Sequence, residues 1–177
     1  MRKVILGAAM SLDGYIARAD GSVDFLIMPE GGSSGMADLF SGIDTIVFGR
    51  KTLDAGRAHS RGGIPSGPWT TYVFSRSEPR GERDGVVFVD QTPAAFVAEL
   101  RKRSGKDIFH MGGGELASAF LEADLIDEMR LGIVPVLLGE GIPLYPAGFP
   151  QRDFSLVESK NSANGLLSVI YSRERSD

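Results

Sequence analysis

The feature that most constrains the fold is an apolar segment that runs into three consecutive glycines and then into an amphipathic segment. Asp107–Met111 is mostly apolar and leads directly to Gly112, Gly113 and Gly114, which predicts a buried strand that ends abruptly. Residues 115–123 show apolar positions at helical spacing and an acidic residue in the first turn, which predicts a helix. The expected buried face of this helix consists of Leu116, Ala119, Phe120 and Ala123.

A glycine run at the start of a helix can hold a phosphate group. Glycine lets a ligand approach the backbone, and the first amides of a helix have no partner within it. A tight turn without a ligand is the simpler alternative for such a short motif. Residues 112–117 also match the dinucleotide pattern G-x-G-x-x-G/A, but too little chain follows Ala117 for the double-wound domain that carries this pattern. The phosphate interpretation therefore needs support from elsewhere.

Two other predicted strands end in groups that bind phosphate oxygens. Residues 45–48 and 70–74 are rich in β-branched and aromatic residues, as expected of strands. A basic pair is most often solvated, but in a chain of net charge −4 a pair directly after a buried strand favours an anionic ligand. The three strand ends together predict a dinucleotide with an additional 2′-phosphate. The groups concerned are Gly49, Arg50, Lys51 and Thr52 after the first strand, and Ser75 and Arg76 after the second.

Composition excludes several classes of function. A chain of 177 residues with 42% hydrophobic and 24% charged residues is expected to form one domain over residues 1–177. The negative net charge argues against nucleic-acid or anionic-membrane partners. The absence of cysteine and the presence of only two histidines argue against a metal centre. Residues 4–10 are too few for a signal peptide, and no segment has the length of a membrane span, so we expect a cytoplasmic protein.

The remaining segments indicate further elements. Residues 4–10 predict a buried first strand, followed by Asp13, which is either a turn former or a ligand contact at the end of a central strand. A short helix is expected at 36–40, an irregular surface segment at 54–69, a strand at 86–89, and a helix after Thr92 and Pro93. Residues 129–134 predict a strand, and 154–159 with 166–172 predict a final hairpin.

A serine-hydrolase pattern, G-x-S-x-G, occurs at residues 31–35 with Ser33 at its centre. That motif requires a preceding strand and downstream histidine and acidic partners. Pro29 and Glu30 precede it here, and only two histidines exist in the chain. A flexible linker is therefore the favoured interpretation, and a hydrolase using Ser33 is the weaker alternative.

The order of elements and motifs resembles the dihydrofolate reductase-like superfamily, and more closely the reductase domain of the riboflavin-biosynthesis deaminase-reductase (RibD C-terminal domain). The resemblance covers nearly the whole chain. Its most extensive part joins Leu125-Ile126-Asp127-Glu128 to residues 135–144. The other segments that carry it are residues 11–17, 44–52, 72–76 and 112–116.

The resemblance implies a three-layer α-β-α fold with a mostly parallel sheet of about eight strands and an antiparallel C-terminal hairpin. It implies NADPH as cofactor, and relatives suggest a homodimer. The glycine turn would hold the pyrophosphate, the segment after Gly49 would meet the phosphates, and Ser75 with Arg76 would reach the 2′-phosphate. Ala9 and Ile16 match positions that line the nicotinamide pocket. The full set of implied cofactor contacts is Ala9, Ile16, Gly49, Arg50, Lys51, Thr52, Ser75, Arg76, Gly112, Gly113, Gly114, Glu115 and Leu116.

The implied reaction is hydride transfer from NADPH to a pteridine, an aminopyrimidine or a related heterocycle or imine, with Asp13 beside the substrate. The pterin-binding Thr of dihydrofolate reductases corresponds to Gly132 or Ile133 here, which argues against folate. The zinc-binding deaminase half is not expected, because the chain contains no cysteine. The alternative is a protein of the same fold that binds NADPH without turnover.

Overall fold

The computed structural model describes residues 1–27, 34–58, 66–146 and 148–173, which form eleven strands and four helices. Ser33, the centre of the hydrolase pattern, lies outside the described residues. None of the helices in these ranges is long and apolar enough to cross a membrane. The elements are β1 (Val4–Ser11), β2 (Tyr15–Ala17), α1 (Ser34–Ser41), β3 (Ile43–Gly49), α2 (Arg50–Ala58), β4 (Thr70–Phe74), β5 (Gly81–Arg83), β6 (Val86–Val89), α3 (Pro93–Arg101), β7 (Asp107–Met111), α4 (Gly114–Glu122), β8 (Glu128–Val134), β9 (Ile142–Pro143), β10 (Ser155–Asn161) and β11 (Leu167–Ser172).

The main sheet contains nine strands in the order β10-β11-β8-β1-β7-β3-β4-β6-β5. The six strands from β8 to β6 are parallel, whereas β5, β10 and β11 pair antiparallel with their neighbours. A separate two-stranded antiparallel sheet joins β2 to β9. The expected mixed fold with an antiparallel C-terminal hairpin is confirmed, and the strand count is nine where about eight were expected.

Helices cover both faces of the sheet, because alternate strand residues point to opposite sides. On one face, Ile46 and Phe48 pack with Leu53 of α2. On the other face, Val47 and Ile108 pack with Phe120 of α4. Thr92 caps α3 by accepting a hydrogen bond from the amide of Ala95 at 3.3 Å, as its position before Pro93 predicts.

Three local predictions differ from the structure. Helix α2 continues to Ala58, into the segment expected to be irregular from residue 54, and it is anchored by the fully buried Leu53. The short strands β2, β5 and β9 were not predicted. The buried face of α4 is formed by Ala117, Phe120 and Leu121, while Ala123 is exposed. Ala123 is exposed because α4 ends at Glu122 and Ala123 is its C-cap, outside the helical face that packs on the core.

The parallel register places the carboxyl ends of the central strands side by side. Strand β7 lies between β1 and β3, and β4 lies on the far side of β3. Gly49 at the end of β3 is opposite Phe74 at the end of β4, and Val47 is opposite His110 of β7. The turns that follow β7, β3 and β4 therefore meet at one edge of the sheet.

Candidate functional site

The candidate site lies at this carboxyl edge, where the three predicted phosphate-binding turns are neighbours. A methyl group placed on Gly112 would be 3.3 Å from Oγ1 of Thr52, so the glycine turn and the start of α2 are in contact. Gly112 has φ of +93°, a conformation that favours glycine. Apart from the adjoining residues of the chain, no atom of the described residues lies within 4 Å of a methyl group placed on Gly49 or Gly114. The edge therefore offers open space beside two of the glycines.

The backbone amides of the glycine turn are partly used within the protein. The amide of Gly112 donates to the carbonyl oxygen of Gly7 at 3.0 Å, and that of Gly114 donates to the carbonyl oxygen of Leu144 at 3.0 Å. Within the described part of the chain, the amides of Gly113, Glu115 and Leu116 have no such partner. The available donors therefore extend into the first turn of α4, and the contact of the glycine turn with a pyrophosphate stays a prediction.

Leu144 packs tightly against the glycine turn. A methyl group placed on Gly113 would be 2.5 Å from Cδ1 of Leu144, 2.9 Å from its carbonyl oxygen and 3.2 Å from Cδ1 of Ile16. The space that the missing side chain of Gly113 leaves is therefore filled by Leu144 and Ile16, and not by a ligand. The sequence did not identify Leu144 as part of the site, because no local pattern connects it to Gly113.

Lys51 and Arg76 approach the same carboxylate at the start of α4. The Nζ of Lys51 is 3.7 Å from Oε1 of Glu115, and Nη2 of Arg76 is 3.5 Å from Oε2 of Glu115. All three side chains are well exposed. The structure thus brings together cations from two separate strand ends and the helix start that follows a third strand.

Arg50 forms ion pairs with two other carboxylates, those of Asp54 and Glu78. Its Nε lies 2.9 Å from Oδ1 and 3.0 Å from Oδ2 of Asp54, and its Nη1 contacts Oε1 of Glu78. The hydrogen bonds to Asp54 and then Glu78 raise the pKa of the Arg50 guanidinium. Glu78 is a second residue that the sequence did not assign to the site. Arg50 therefore links α2 to the turn after β4, and its contact with a ligand stays a prediction.

Ser75 stabilises the turn that carries Arg76. Its buried hydroxyl oxygen accepts hydrogen bonds from the amides of Ser77 at 3.3 Å and Glu78 at 3.1 Å. Arg76 projects from this turn with 94% of its side chain exposed. The direct contact of Ser75 with a phosphate stays a prediction, while its hydroxyl fixes the backbone that presents Arg76.

Asp13 joins the end of β1 to the segment that follows β8. One of its oxygens accepts a hydrogen bond from the hydroxyl of Ser11 at 2.5 Å. The other accepts hydrogen bonds from the backbone amides of Leu138 at 3.0 Å and Gly139 at 2.7 Å. These bonds, that of Ser11 first, lower the pKa of Asp13. Asp13 is thus an ionised carboxylate at neutral pH that holds this loop, which favours an orienting role over donation of a proton.

Ala9 and Ile16, the residues predicted to line the nicotinamide pocket, are half-buried, Ala9 in β1 and Ile16 in β2. Ile16 in β2 touches the glycine turn at Gly113. Ala9 is opposite Gly132 of β8, and its Cβ would be 3.6 Å from a methyl group placed there. The structure therefore brings Ile16 to the phosphate-binding turn and Ala9 to the β1–β8 side of the edge.

His110 lies directly below the glycine turn, in β7. It is 1% exposed, and its ring packs edge-on against Phe120 at 4.8 Å between centroids. Neither ring nitrogen makes a hydrogen bond in the described structure. Burial lowers the pKa of His110 to about 4, against smaller opposing effects from the backbone of His110 and Gly112. His110 is therefore a neutral core residue at physiological pH.

A cavity of about 470 Å³ lies at the opposite edge of the sheet. Its lining includes Arg2, Asp44 and Trp69, which lie before or at the amino-terminal ends of β1, β3 and β4. None of the predicted cofactor contacts is among the residues that line it. The turns at the carboxyl edge, which carry the open space and the exposed cations, remain the candidate site.

Comparison with known protein families and sequences adds independent support for the fold. The family described as RibD C-terminal domain matches residues 2–168. Uncharacterized protein YwjB of Bacillus subtilis (strain 168) is 39% identical over 148 residues, which are 81% of this chain and 83% of that protein. Uncharacterized protein YyaP of the same organism is 33% identical over 180 residues, covering 96% of this chain and 94% of that protein.

Solved structures show the same architecture. A protein of Shewanella sp. PV-4, described provisionally as a riboflavin biosynthesis protein, superposes with a TM-score of 0.82 at 30% identity, over 98% of this chain and 99% of that one. A pyrimidine reductase-like protein of Corynebacterium diphtheriae gives 0.68 at 18% identity, over 99% and 93%. The deaminase/5-amino-6-(5-phosphoribosylamino)uracil reductase of Thermotoga maritima gives 0.73 at 17% identity, over 97% of this chain and 56% of that one.

Proposed function

The chain belongs to the family of RibD C-terminal domains, and on this premise we propose that it is an NADPH-dependent reductase. The proposed reaction transfers hydride to a carbon of a nitrogen heterocycle or imine, with an aminopyrimidine of the 5-amino-6-ribosylaminouracil type as the preferred candidate. The printed names of the C. diphtheriae and T. maritima proteins refer to a pyrimidine reductase and an aminouracil reductase, which support this substrate class.

One observation carries the proposal. The turns after β3, β4 and β7 meet at one edge, where Lys51 and Arg76 lie within 4 Å of the first turn of α4. Exposed cations, unpaired helix amides and open space beside Gly49 and Gly114 are the groups that a dinucleotide phosphate requires.

The residues present at this edge fit NADPH. The amides of Gly113, Glu115 and Leu116 would bind the pyrophosphate, and Lys51 and Thr52 would lie beside it. Arg76 would bind the 2′-phosphate, because a guanidinium pairs with phosphate through two hydrogen bonds. When bound, NADPH supplies the hydride. The protein supplies alignment, and we assign the nicotinamide end to the side of Ala9 and Ile16.

Asp13 would act on the substrate as a fixed negative charge. Its carboxylate is held by the Ser11 hydroxyl and the amides of Leu138 and Gly139, and the residue is exposed. A substrate N–H group or an ordered water could donate to it there, which would orient an aminopyrimidine ring. Because the pKa of Asp13 is lowered, we propose that the proton required by the reaction comes from solvent and not from this carboxyl group.

An assay of NADPH oxidation tests the proposal. The absorbance of the reduced nicotinamide is followed with the protein and, separately, 5-amino-6-ribosylaminouracil, its 5′-phosphate and dihydrofolate. Protein-dependent oxidation with an aminopyrimidine is the expected result. NADPH binding without oxidation of any of these compounds would favour the alternative of a binding protein without turnover, and the absence of NADPH binding would contradict both.

A further inference from the structure

The side chains of Lys51, Arg76 and Glu115, which we call the Glu115 cluster, have an arrangement that a phosphate would also produce. Two oxygens of one carboxylate face two cations, at 3.7 Å from Lys51 and 3.5 Å from Arg76. The carboxylate also belongs to the second residue of α4, close to amides that have no partner within the helix. A negatively charged group of the protein therefore lies where we place the nucleotide phosphates.

Charge identifies this cluster, and not Arg50, as the stronger anion site. Arg50 contacts both Asp54 and Glu78, and Glu78 also lies 3.5 Å from Arg83, so these four side chains have a net charge of zero. The Glu115 cluster contains two cations and one carboxylate. Its remaining positive charge and the adjacent helix start both attract an anion.

The ion pairs within the Glu115 cluster are weak enough to open. Lys51, Glu115 and Arg76 are 92%, 74% and 94% exposed. Exposed pairs at such distances are screened by water and salt and contribute little to the stability of a fold. Their separation during ligand binding therefore costs the folded protein little.

We propose that Glu115 is a specificity-determining residue. In the protein without cofactor its carboxylate occupies the place where a nucleotide phosphate would bind, and it is displaced when NADPH binds. This inference rests on the proposed function. Glu115 competes with the 2′-phosphate for Arg76, so it lowers the affinity for NADPH more than that for NADH. Glu115 therefore makes the ratio of NADPH affinity to NADH affinity smaller than it would be without this carboxylate.

The test is the substitution Glu115→Gln, which keeps the shape of the side chain and removes its charge. The control is Glu122→Gln, which removes the same charge from the exposed far end of α4. Dissociation constants for NADPH and NADH are measured by nicotinamide fluorescence at low and high salt. We expect E115Q to bind NADPH about 2- to 5-fold more tightly at low salt, with a smaller gain for NADH and a smaller gain at high salt.

The outcomes separate this inference from the proposed function. If the wild-type protein binds NADPH and E115Q binds it equally or less tightly, Glu115 is not a competitor and only the inference fails. An equal gain in E122Q would also overturn it, since the effect would then be one of overall charge. If neither wild type nor E115Q binds NADPH, the proposed function fails and the inference fails with it.

Discussion

Leu144 lies directly against Gly113, at 2.5 Å from the position that a methyl group on that glycine would take. The carbonyl oxygen of Leu144 is 2.9 Å from the same position and also accepts the amide of Gly114. The segment after β8 thus fixes the backbone of the turn after β7. The shape of the predicted phosphate site depends on residues far away in sequence.

This contact predicts that Gly113→Ala destabilises the protein. The added methyl group would meet a backbone oxygen that cannot move without disturbing the Gly114 hydrogen bond, which typically costs about 1–3 kcal/mol. Urea denaturation measures the change in the free energy of unfolding. Gly49→Ala is the control, because in the described part of the chain its methyl group meets no atom within 4 Å other than those of adjoining residues. Equal stability of G113A and wild type would contradict the close packing of Leu144.

The open space beside Gly49 predicts a separate effect of Gly49→Ala on ligand binding. If the nucleotide lies over this residue, the methyl group enters the ligand's space, and NADPH binding should weaken on the order of tenfold. Thermal denaturation should show an unchanged midpoint. NADPH affinity equal to that of wild type would mean that the nucleotide does not pass close to Gly49.

The exposure of Arg76 predicts that it discriminates between the two cofactors. Arg76→Ala removes a charge-assisted contact to the 2′-phosphate and should weaken NADPH binding about tenfold or more. The affinity for NADH should change little. Arg50→Ala is the matched control, because Arg50 is held by Asp54 and Glu78 and should affect both cofactors alike. Equal weakening of NADPH and NADH in R76A would show that Arg76 does not contact the 2′-phosphate.

The bonds of Asp13 predict a stabilising role that depends on its ionised form. The pKa of Asp13 is lower in the folded protein than its ordinary value of 3.8, so its contribution is present above that pH and is lost as the pH falls through the folded pKa. Asp13→Asn should lower the thermal midpoint at pH 7, because an asparagine has one acceptor oxygen and no charge, so it cannot accept the Leu138 and Gly139 amides on one oxygen and the Ser11 hydroxyl on the other. Asp90→Asn, an exposed acid, serves as control. Identical midpoints for D13N and D90N would exclude this role.

His110 predicts a loss of stability below neutral pH. Its folded pKa of about 4 is below the ordinary value of 6.5, so the unfolded chain takes up the proton first as the pH falls. The contribution of His110 to the free energy of unfolding should be fully present above pH 6.5. Below that pH the free energy of unfolding should decrease by about 1.4 kcal/mol per pH unit until the pH reaches about 4. Urea titrations at several pH values measure this slope.

The variant His110→Leu isolates the contribution of this group. In this variant the part of the pH dependence between pH 6.5 and about 4 that comes from His110 should disappear. At pH 7 the variant should be at least as stable as wild type, because two buried nitrogens without hydrogen-bond partners are removed. The same pH dependence in both proteins would assign the acid sensitivity to other residues.

The strand ends could be predicted because their signals are local. Apolar β-branched runs followed by Gly49, Ser75 or Gly112 identify where strands stop, and the parallel topology then places these turns together. Strand β5 also has a local sequence signal, the Asp-Gly pair at residues 84–85. Asp84 and Gly85 have φ of 51° and 76° and form the two-residue turn typical of an Asp-Gly hairpin.

The partners of the site residues could not be predicted, because they come from distant parts of the chain. Asp13 is 125 residues before Leu138, whose amide it accepts. Glu78 is 28 residues after Arg50, and nothing in their local sequences indicates the contact. The sequence shows Arg50, Lys51 and Arg76 as cations without partners, whereas the fold pairs each of them with a carboxylate.

A crystal structure of the protein with NADPH tests the central claim most directly. We expect the 2′-phosphate within hydrogen-bond distance of Arg76 and the pyrophosphate at the amides of Glu115 and Leu116, with the nicotinamide on the side of Ile16. A nucleotide bound elsewhere, for example in the cavity beside Trp69 at the opposite edge of the sheet, would contradict the account.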